Sequence, residues 1–367
     1  MSDNADEFLT ALERRLHASV TDAVVTPLRS IDDGLTVFAE HCSTAVTAGG
    51  KRLRPRFAYW AWRAGSSPGE DQGPIVRLAA ALEMLHAAIL VHDDVIDGSE
   101  LRRGEPSVRA ALAGRHQGQS WFGGSASFGD HTALLVGDLL WSAAHDEFDA
   151  AATAVLPEHR GRLTSIFRAM RVEVLAGQLL ELSAQAARHY DAATAERILR
   201  YKTSAYTVER PMELGLALAG PSASDAGEIL GVYAGAVGRA FQLRDDLADL
   251  FGSFETSGKR VGDDVRDGKP TELLGTTLEL AGAADVQTLA GIVGDSTADA
   301  SAIAEARRIV WECGAAERVS RRIADLVADA DRAVEDLPPG VDASSRVALR
   351  ELLAECTDVS FLGERPD

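Results

Sequence analysis

Apolar positions recur along most of the chain at helical spacing. Phe8, Leu12, Leu16 and Val20 stand four apart among charged residues, which predicts a helix over 8–20. Residues 76–97 hold neither Gly nor Pro and predict one long helix. Residues 162–189 predict another, and 193–219 a third that Pro211 interrupts. After Pro221-Ser-Ala-Ser, which reads as a turn and cap, residues 225–251 keep a helical pattern. Gly227, Gly231, Gly235 and Gly238 within it would weaken an isolated helix and let another helix or a ligand approach closely. Ile309, Cys313, Ala316, Ile323, Val327, Ala330 and Val334 mark an amphipathic helical pair over 302–337, and Pro338-Pro339-Gly340 ends it. Val and Ile seldom alternate with polar residues, so no strand is predicted. The expected fold is all-α, in one domain.

Three segments read as loops. Gly65–Gly73 is a surface turn. Gly104–His131, with six glycines and Trp121-Phe122-Gly-Gly, reads as mobile, and Phe251–Lys269 mixes Gly, Lys and Asp. Long loops in a helical protein are often functional lids. The pairs Tyr59-Trp60 and Trp121-Phe122 are expected to be core or loop anchors.

Composition narrows the function. The 367 residues are 46% hydrophobic, enough for a sizeable core. Asp and Glu number 56 against 37 Lys and Arg, a net charge of -19. That balance argues against nucleic-acid binding and against electrostatic docking on anionic lipid. The start, Met1-Ser-Asp-Asn, lacks the features of a signal peptide, and no membrane span is expected. Cys42, Cys313 and Cys356 fit neither a disulfide scaffold nor a zinc site, so a cytoplasmic home is expected.

Two motifs carry chemistry. Asp93-Asp94-Val-Ile-Asp97 and Asp245-Asp246-Leu-Ala-Asp249 share the pattern Asp-Asp-x-x-Asp. On a helix, positions i and i+4 share a face, so Asp93 joins Asp97 and Asp245 joins Asp249. One such cluster would read as a solvated acidic face. Two copies, flanked by Leu85, Ile89, Leu90 and Val91 and by Phe241, Leu243, Leu247 and Leu250, do not. Crowded, desolvated carboxylates repel one another, and a hard divalent cation relieves the repulsion. Mg²⁺ commonly shares one or two carboxylates with substrate phosphates, so two clusters facing each other would cradle a diphosphate. Cations adjoin them: Gly49-Gly50-Lys51-Arg52-Leu53-Arg54, Arg102-Arg103, Lys202-Thr203, Lys259 and Lys269. Arg grips phosphate in bidentate fashion and Lys acts as a point charge. His86 lies seven residues before Asp93, and Gln242 three before Asp245, each on its cluster's face. His92 has no chemical role in this reading and is expected to be structural.

With Gly50-Lys-Arg-Leu-Arg-Pro55, Arg102-Arg-Gly-Glu-Pro106, Gly137-Asp138, Gly177-Gln178 and Phe241-Gln-Leu-Arg-Asp-Asp246, the chain resembles the trans-isoprenyl diphosphate synthases, or polyprenyl synthetases, from about residue 35 to 335. The resemblance implies an all-α isoprenoid-synthase bundle around a deep central cavity, usually a homodimer. It divides the chain into an N-terminal segment (1–34), a catalytic domain (35–337) and a C-terminal tail packed on it (338–367). It implies Mg²⁺-dependent head-to-tail condensation of isopentenyl diphosphate with dimethylallyl, geranyl or farnesyl diphosphate, using three ions, for which Mn²⁺ could substitute. By motif match, Asp93, Asp94, Asp97, Asp245 and Asp249 are metal positions, and Asp246 completes the second cluster. Lys51, Arg54, His86 and Arg103 match the isopentenyl diphosphate site. Arg102, Lys202, Thr203, Gln242, Lys259 and Lys269 match the groups that hold the allylic diphosphate.

In this family the growing chain runs along the helix before the first aspartate motif. Leu85, Ala88 and Ile89 occupy the eighth, fifth and fourth positions before Asp93, and none is aromatic. Geranylgeranyl diphosphate is the expected main product, with longer polyprenyl or farnesyl diphosphate as alternatives. A class I terpene cyclase would not need Lys51, Arg54, His86 and Arg103. A silent helical subunit would tend to lose an aspartate cluster, and a His/Asp phosphohydrolase would need further histidine ligands.

Overall fold

The structure is a computed structural model that describes residues 3–67, 69–220, 224–252 and 260–363. Its helices are α1 (Asp3–Val20), α2 (Thr26–Ile31), α3 (Thr36–Thr47), α4 (Leu53–Gly65), α5 (Gly73–Ile96), α6 (Val108–Gly118), α7 (Ser125–Ala152), α8 (Pro157–Ala187), α9 (Ala192–Ile198), α10 (Arg210–Ala219), α11 (Ser224–Phe251), α12 (Asp263–Asp267), α13 (Glu272–Leu280), α14 (Ala283–Ala290), α15 (Ala300–Glu312), α16 (Ala315–Asp336) and α17 (Ala343–Thr357). Residue contacts divide the chain into two compact units. The first is Met1–Thr164 with Leu214–Ala223, and the second is Ser165–Glu213 with Ser224–Asp367.

In the first unit α5 is the core element. Ile75, Leu78, Ala79, Leu82, Leu85 and Ala88 are fully buried, because apolar residues surround this helix on nearly every side. By length and composition α5 could cross a membrane, with mean hydropathy 1.7 in its most apolar window, but 72% of that window is buried inside the protein. The stack of Phe8 on Tyr59, with centroids 4.1 Å apart, ties α1 to α4. Gly215 of α10 lies against α4: a β-carbon there would come 2.0 Å from the Ala58 carbonyl oxygen.

In the second unit α11 packs with α13, α15 and α16 through Leu243, Leu247, Leu273, Ile309, Val319 and Ile323. The expected amphipathic pair is α15 and α16, joined at Gly314 in the left-handed conformation (φ 83°). The Tyr233 hydroxyl donates to the Leu349 carbonyl at 2.7 Å, which fixes α17 to α11.

Four expectations change. Pro211 does not break its helix: residues Leu199–Glu209 wind as a π-helix that leads straight into α10. The Arg210 N–H donates five residues back, to the Ala205 carbonyl, and Pro211 stands in the first turn of α10, where proline is tolerated. The Gly104–His131 stretch is not a mobile loop, since it holds α6 and the start of α7. His116 and Phe128 pack inside it at 5.0 Å, and Gly114 and Gly118 face open space, where a missing side chain costs no packing. Tyr59 and Trp60 are core residues and Trp121 packs edge-on against Phe128 at 5.4 Å, as expected, but the Phe122 side chain is fully exposed. A strand pair too short for any alternation to show, β1 (Leu101–Arg102) and β2 (Glu105–Pro106), forms a hairpin. The Pro221–Ala223 part of the expected cap and residues 253–259 of the expected 251–269 loop lie outside the described residues, and the rest of that loop holds α12.

Candidate active site

Site residues of the first unit gather at the C-terminal end of α5 and the loops beside it. Asp93 and Asp94 lie in its last turn, and Asp97 caps it, its N–H donating to the Asp93 carbonyl at 2.8 Å. A helix C-terminus carries partial negative charge, so three carboxylates there are disfavoured unless a cation answers them. One answer is Arg102. Its Nε donates to Asp94 Oδ1 at 3.0 Å, a second donor reaches the same oxygen, and Asp93 lies 3.7 Å away. Burial works against the Arg102 charge, but the bond to Asp94 and the fields of Asp94, Asp93 and Asp97 outweigh it, so its pKa is raised. Asp94 is 2% exposed. The structure therefore pairs an expected diphosphate ligand with an expected metal ligand.

The hairpin turn that follows holds Arg103 at φ 56° and Gly104 at φ 81°. Two left-handed residues define the tight turn favoured between antiparallel strands. An arginine in that conformation is strained, and such strain clusters at functional sites. The Arg103 guanidinium donates to the Gly49 carbonyl and covers Gly50, where a β-carbon would come 2.8 Å from it. Only glycine fits at 50, because φ is +127° and the guanidinium fills the space. Lys51 is exposed and Arg54 half-buried at the start of α4.

His86 is half-buried on the same α5 face as Ile89, Leu90, Asp93 and Asp97. Burial holds its imidazole well below the ordinary pKa, and the charges of Arg54, Arg103, Arg102 and Arg52 push it further down. His86 is thus a neutral imidazole inside a cluster of four guanidinium groups. His92 plays a packing part: its ring lies on Gly137 of α7, where a β-carbon would come 2.2 Å from Nε2, and that nitrogen is 3.2 Å from the Leu134 carbonyl.

In the second unit, Gln242 donates to Asp246 Oδ1 at 2.7 Å across one turn of α11. Asp246 is 5% exposed, and burial drives its carboxyl well above the usual range. Asp264, Asp245 and Glu272 push it the same way, and the Gln242 bond opposes them. Asp245 accepts from Arg244 at 3.0 Å. Asp249 Oδ2 accepts the Asp264 N–H at 3.2 Å, so it holds the first turn of α12. Lys269 lies 3.4 Å from Asp264 and 3.8 Å from Asp267. Lys259 lies outside the described residues.

Lys202 and Thr203 sit on the π-helical stretch. The Lys202 ammonium donates to buried Glu181 of α8 at 2.5 Å. Two glycines make room for that stretch. A β-carbon at Gly177 would come 2.4 Å from the Lys202 nitrogen, and one at Gly238 would come 2.3 Å from Ser204 Oγ. Gly238 is therefore a close-approach glycine, as expected of its group, whereas Gly227, Gly231 and Gly235 face open space.

Sequence reading missed Glu181, Glu83 and the run Asp263-Asp264-Val-Arg-Asp267. That run repeats the Asp-Asp-x-x-Asp pattern and places Asp264 beside Asp246, so the repeated spacing could have found it.

The donor set of both motifs is oxygen only, which suits a hard divalent cation. Among the described residues no three His, Cys, Asp or Glu side chains form a ready-made protein cage. Mg²⁺ does not require one, because it keeps waters and uses substrate phosphate oxygens.

A helical fold that holds two Asp-Asp-x-x-Asp motifs and a guanidinium cluster defines a class, the isoprenoid synthases. The polyprenyl synthetase family model matches residues 36–310. A geranylgeranyl pyrophosphate synthase structure from Corynebacterium glutamicum, complexed with isoprenyl diphosphate and magnesium, is 32% identical and superposes with a TM-score of 0.90, covering 96% of this chain and 99% of that one. A short chain isoprenyl diphosphate synthase of Methanothermobacter thermautotrophicus is 30% identical over 92% of each chain. A nonaprenyl diphosphate synthase of Mycobacterium tuberculosis is 27% identical over 96% of this chain and 94% of its own. The chain belongs to the polyprenyl synthetase family and is a prenyltransferase with the all-α isoprenoid synthase fold.

Proposed function

We propose that this enzyme condenses isopentenyl diphosphate with an allylic diphosphate, head to tail, and that geranylgeranyl diphosphate is its main product. The observation that carries the reading is the geometry around Lys51 and Arg54: Arg103, held at φ 56°, donates to the Gly49 carbonyl and so brings a further guanidinium to the loop that carries Lys51. A cyclase that ionises one allylic diphosphate has no use for this second cationic site. We propose that Lys51, Arg54 and Arg103 hold the isopentenyl diphosphate by charge, and that His86 donates a hydrogen bond without adding charge. The catalytic domain is proposed to span 35–337, which the family match over 36–310 supports.

In this proposal Asp93, Asp97, Asp245 and Asp249 hold Mg²⁺, with Asp94 and Asp246 behind them. Bound there, Mg²⁺ would neutralise charge on the departing diphosphate. Lys202, Thr203, Gln242, Arg102, Lys259 and Lys269 are proposed to orient that group. Glu181 and Asp264 keep the Lys202 and Lys269 ammonium groups at fixed places until phosphate oxygens share them. Apolar walls shelter the allylic cation from water, the isopentenyl double bond attacks it, and the released diphosphate takes the proton.

Two further proposals concern surroundings. Val172, Leu175, Leu179 and Leu182 form an exposed apolar stripe on α8 with the three-and-four spacing of a helix seam, and a second copy of the chain suits it as occupant. The proposed setting is the cytoplasm, supported by burial of the one described helix apolar enough to span a membrane.

The test is incubation with labelled isopentenyl diphosphate, Mg²⁺, and dimethylallyl, geranyl or farnesyl diphosphate in turn. The account expects elongation to geranylgeranyl diphosphate. Farnesyl diphosphate alone would overturn the product assignment. Cyclised hydrocarbon or free diphosphate without elongation would overturn the reaction.

A further inference from the structure

The family match begins at residue 36, yet a residue of α1 reaches the loop that carries Lys51 and Arg54. That loop is bent sharply: Gly49, Gly50 and Arg52 have φ of 78°, 127° and 49°. Arg52 differs from its cationic neighbours. Its side chain is 5% exposed, and three of its nitrogens meet carboxylates. Nε donates to Glu13 Oε1 at 2.8 Å, Nη2 to Glu13 Oε2 at 3.2 Å, and Nη1 to Glu83 Oε1 of α5 at 2.6 Å. One guanidinium fork thus locks α1, α5 and the first residue before α4 together. Above it, Arg103 donates to the Gly49 carbonyl. The backbone between Gly49 and Arg52 is clamped on two sides, and Lys51 projects from the clamped stretch.

We propose that Arg52 is a positioning residue for isopentenyl diphosphate, and that α1, through Glu13, belongs to the frame of that site. The inference rests on the reading that Lys51 and Arg54 bind this substrate. Arg52 does not bind phosphate itself, because its donors face Glu13 and Glu83. It holds a left-handed, strained backbone in the one shape that places its neighbours.

The experiment is steady-state kinetics on the full chain, with each substrate varied in turn, for Glu13→Gln, Arg52→Lys, Lys51→Ala and the exposed control Arg14→Gln. Glu13→Gln and Arg52→Lys should each raise KM for isopentenyl diphosphate by about tenfold, leave the allylic KM unchanged and keep kcat within about twofold. Arg14→Gln should match the parent. If Arg52→Lys fails to fold, Glu13→Gln decides the matter, since the Glu13 side chain is 42% exposed and its loss leaves the core intact. Equal rises in both KM values, or no change in either, would overturn the inference. Lys51→Ala separates the two failures. If it raises KM and Glu13→Gln does not, only the role of Arg52 falls. If it leaves KM unchanged, the reading of the site falls first.

Discussion

Gly177 lies so close to Lys202 that no side chain could stand between them: a β-carbon would come 2.4 Å from the Lys202 nitrogen and 2.7 Å from its Cα. The obstacle is backbone, which cannot rotate away. Gly177→Ala should therefore push the π-helical stretch from α8 and break the Lys202–Glu181 contact. The expected result is a loss of about 1–3 kcal/mol in unfolding free energy, with a fall in kcat that exceeds any change in KM. Gly231→Ala is the internal comparison. It sits in α11 facing open space, so the substitution should stabilise by about 0.5–1 kcal/mol and leave turnover unchanged. Urea unfolding and turnover on both variants check the pair.

Asp94 is buried and Arg102 answers its charge, while the neighbouring Arg103 lies against backbone carbonyls. Removing Arg102 leaves a buried carboxylate uncompensated. Arg102→Met should lower the unfolding free energy by about 3 kcal/mol, and Arg103→Met by far less. In a double-mutant cycle, Arg102→Met with Asp94→Asn should recover much of that loss. Additive losses would show that the pair is not coupled.

Asp246 gives a pH dependence with a definite sign. Its folded pKa is raised, chiefly by burial, above the ordinary carboxylate value that the unfolded chain keeps. Between those two values the folded state holds a proton that the unfolded chain has lost, so stability falls as pH rises through that window. Asp246→Asn removes the loss. In metal-free protein at about pH 7.5 the variant should melt at a higher temperature than the parent, and its advantage should shrink on acidification toward about pH 4. A constant difference across the range would contradict the assignment.

Chain length should respond to Ile89 more than to Ala88. Ala88 and Leu85 are fully buried, whereas Ile89 is half-buried on the face that carries Asp93. Ala88→Phe overpacks a closed core and should cost about 1–3 kcal/mol whatever it does to product. Ile89→Phe should shorten the product at little cost in stability. Product chromatography together with melting curves separates the two effects.

Much of this was legible along the chain. The spacing of Phe8, Leu12 and Leu16, and the unbroken run of α5, announced helices because period and propensity agree there. The aspartate motifs stood out because acids seldom sit among Leu and Val. What stayed hidden depends on partners distant in sequence. Arg52 reads as one cation among three until Glu13 and Glu83 are placed beside it. Gly177 and Gly231 look alike, yet only one touches another backbone. The π-helical winding of residues 199–209 leaves no trace in periodicity, and Pro211 at its end reads as a break rather than a change of winding.

The most direct test of the central claim is a crystal of the enzyme with Mn²⁺ and a non-ionisable allylic diphosphate analogue, read by anomalous scattering. The account predicts manganese peaks at both motifs, held by Asp93 and Asp97 in one and by Asp245 and Asp249 in the other. Peaks at only one motif, or a diphosphate held by neither, would contradict it.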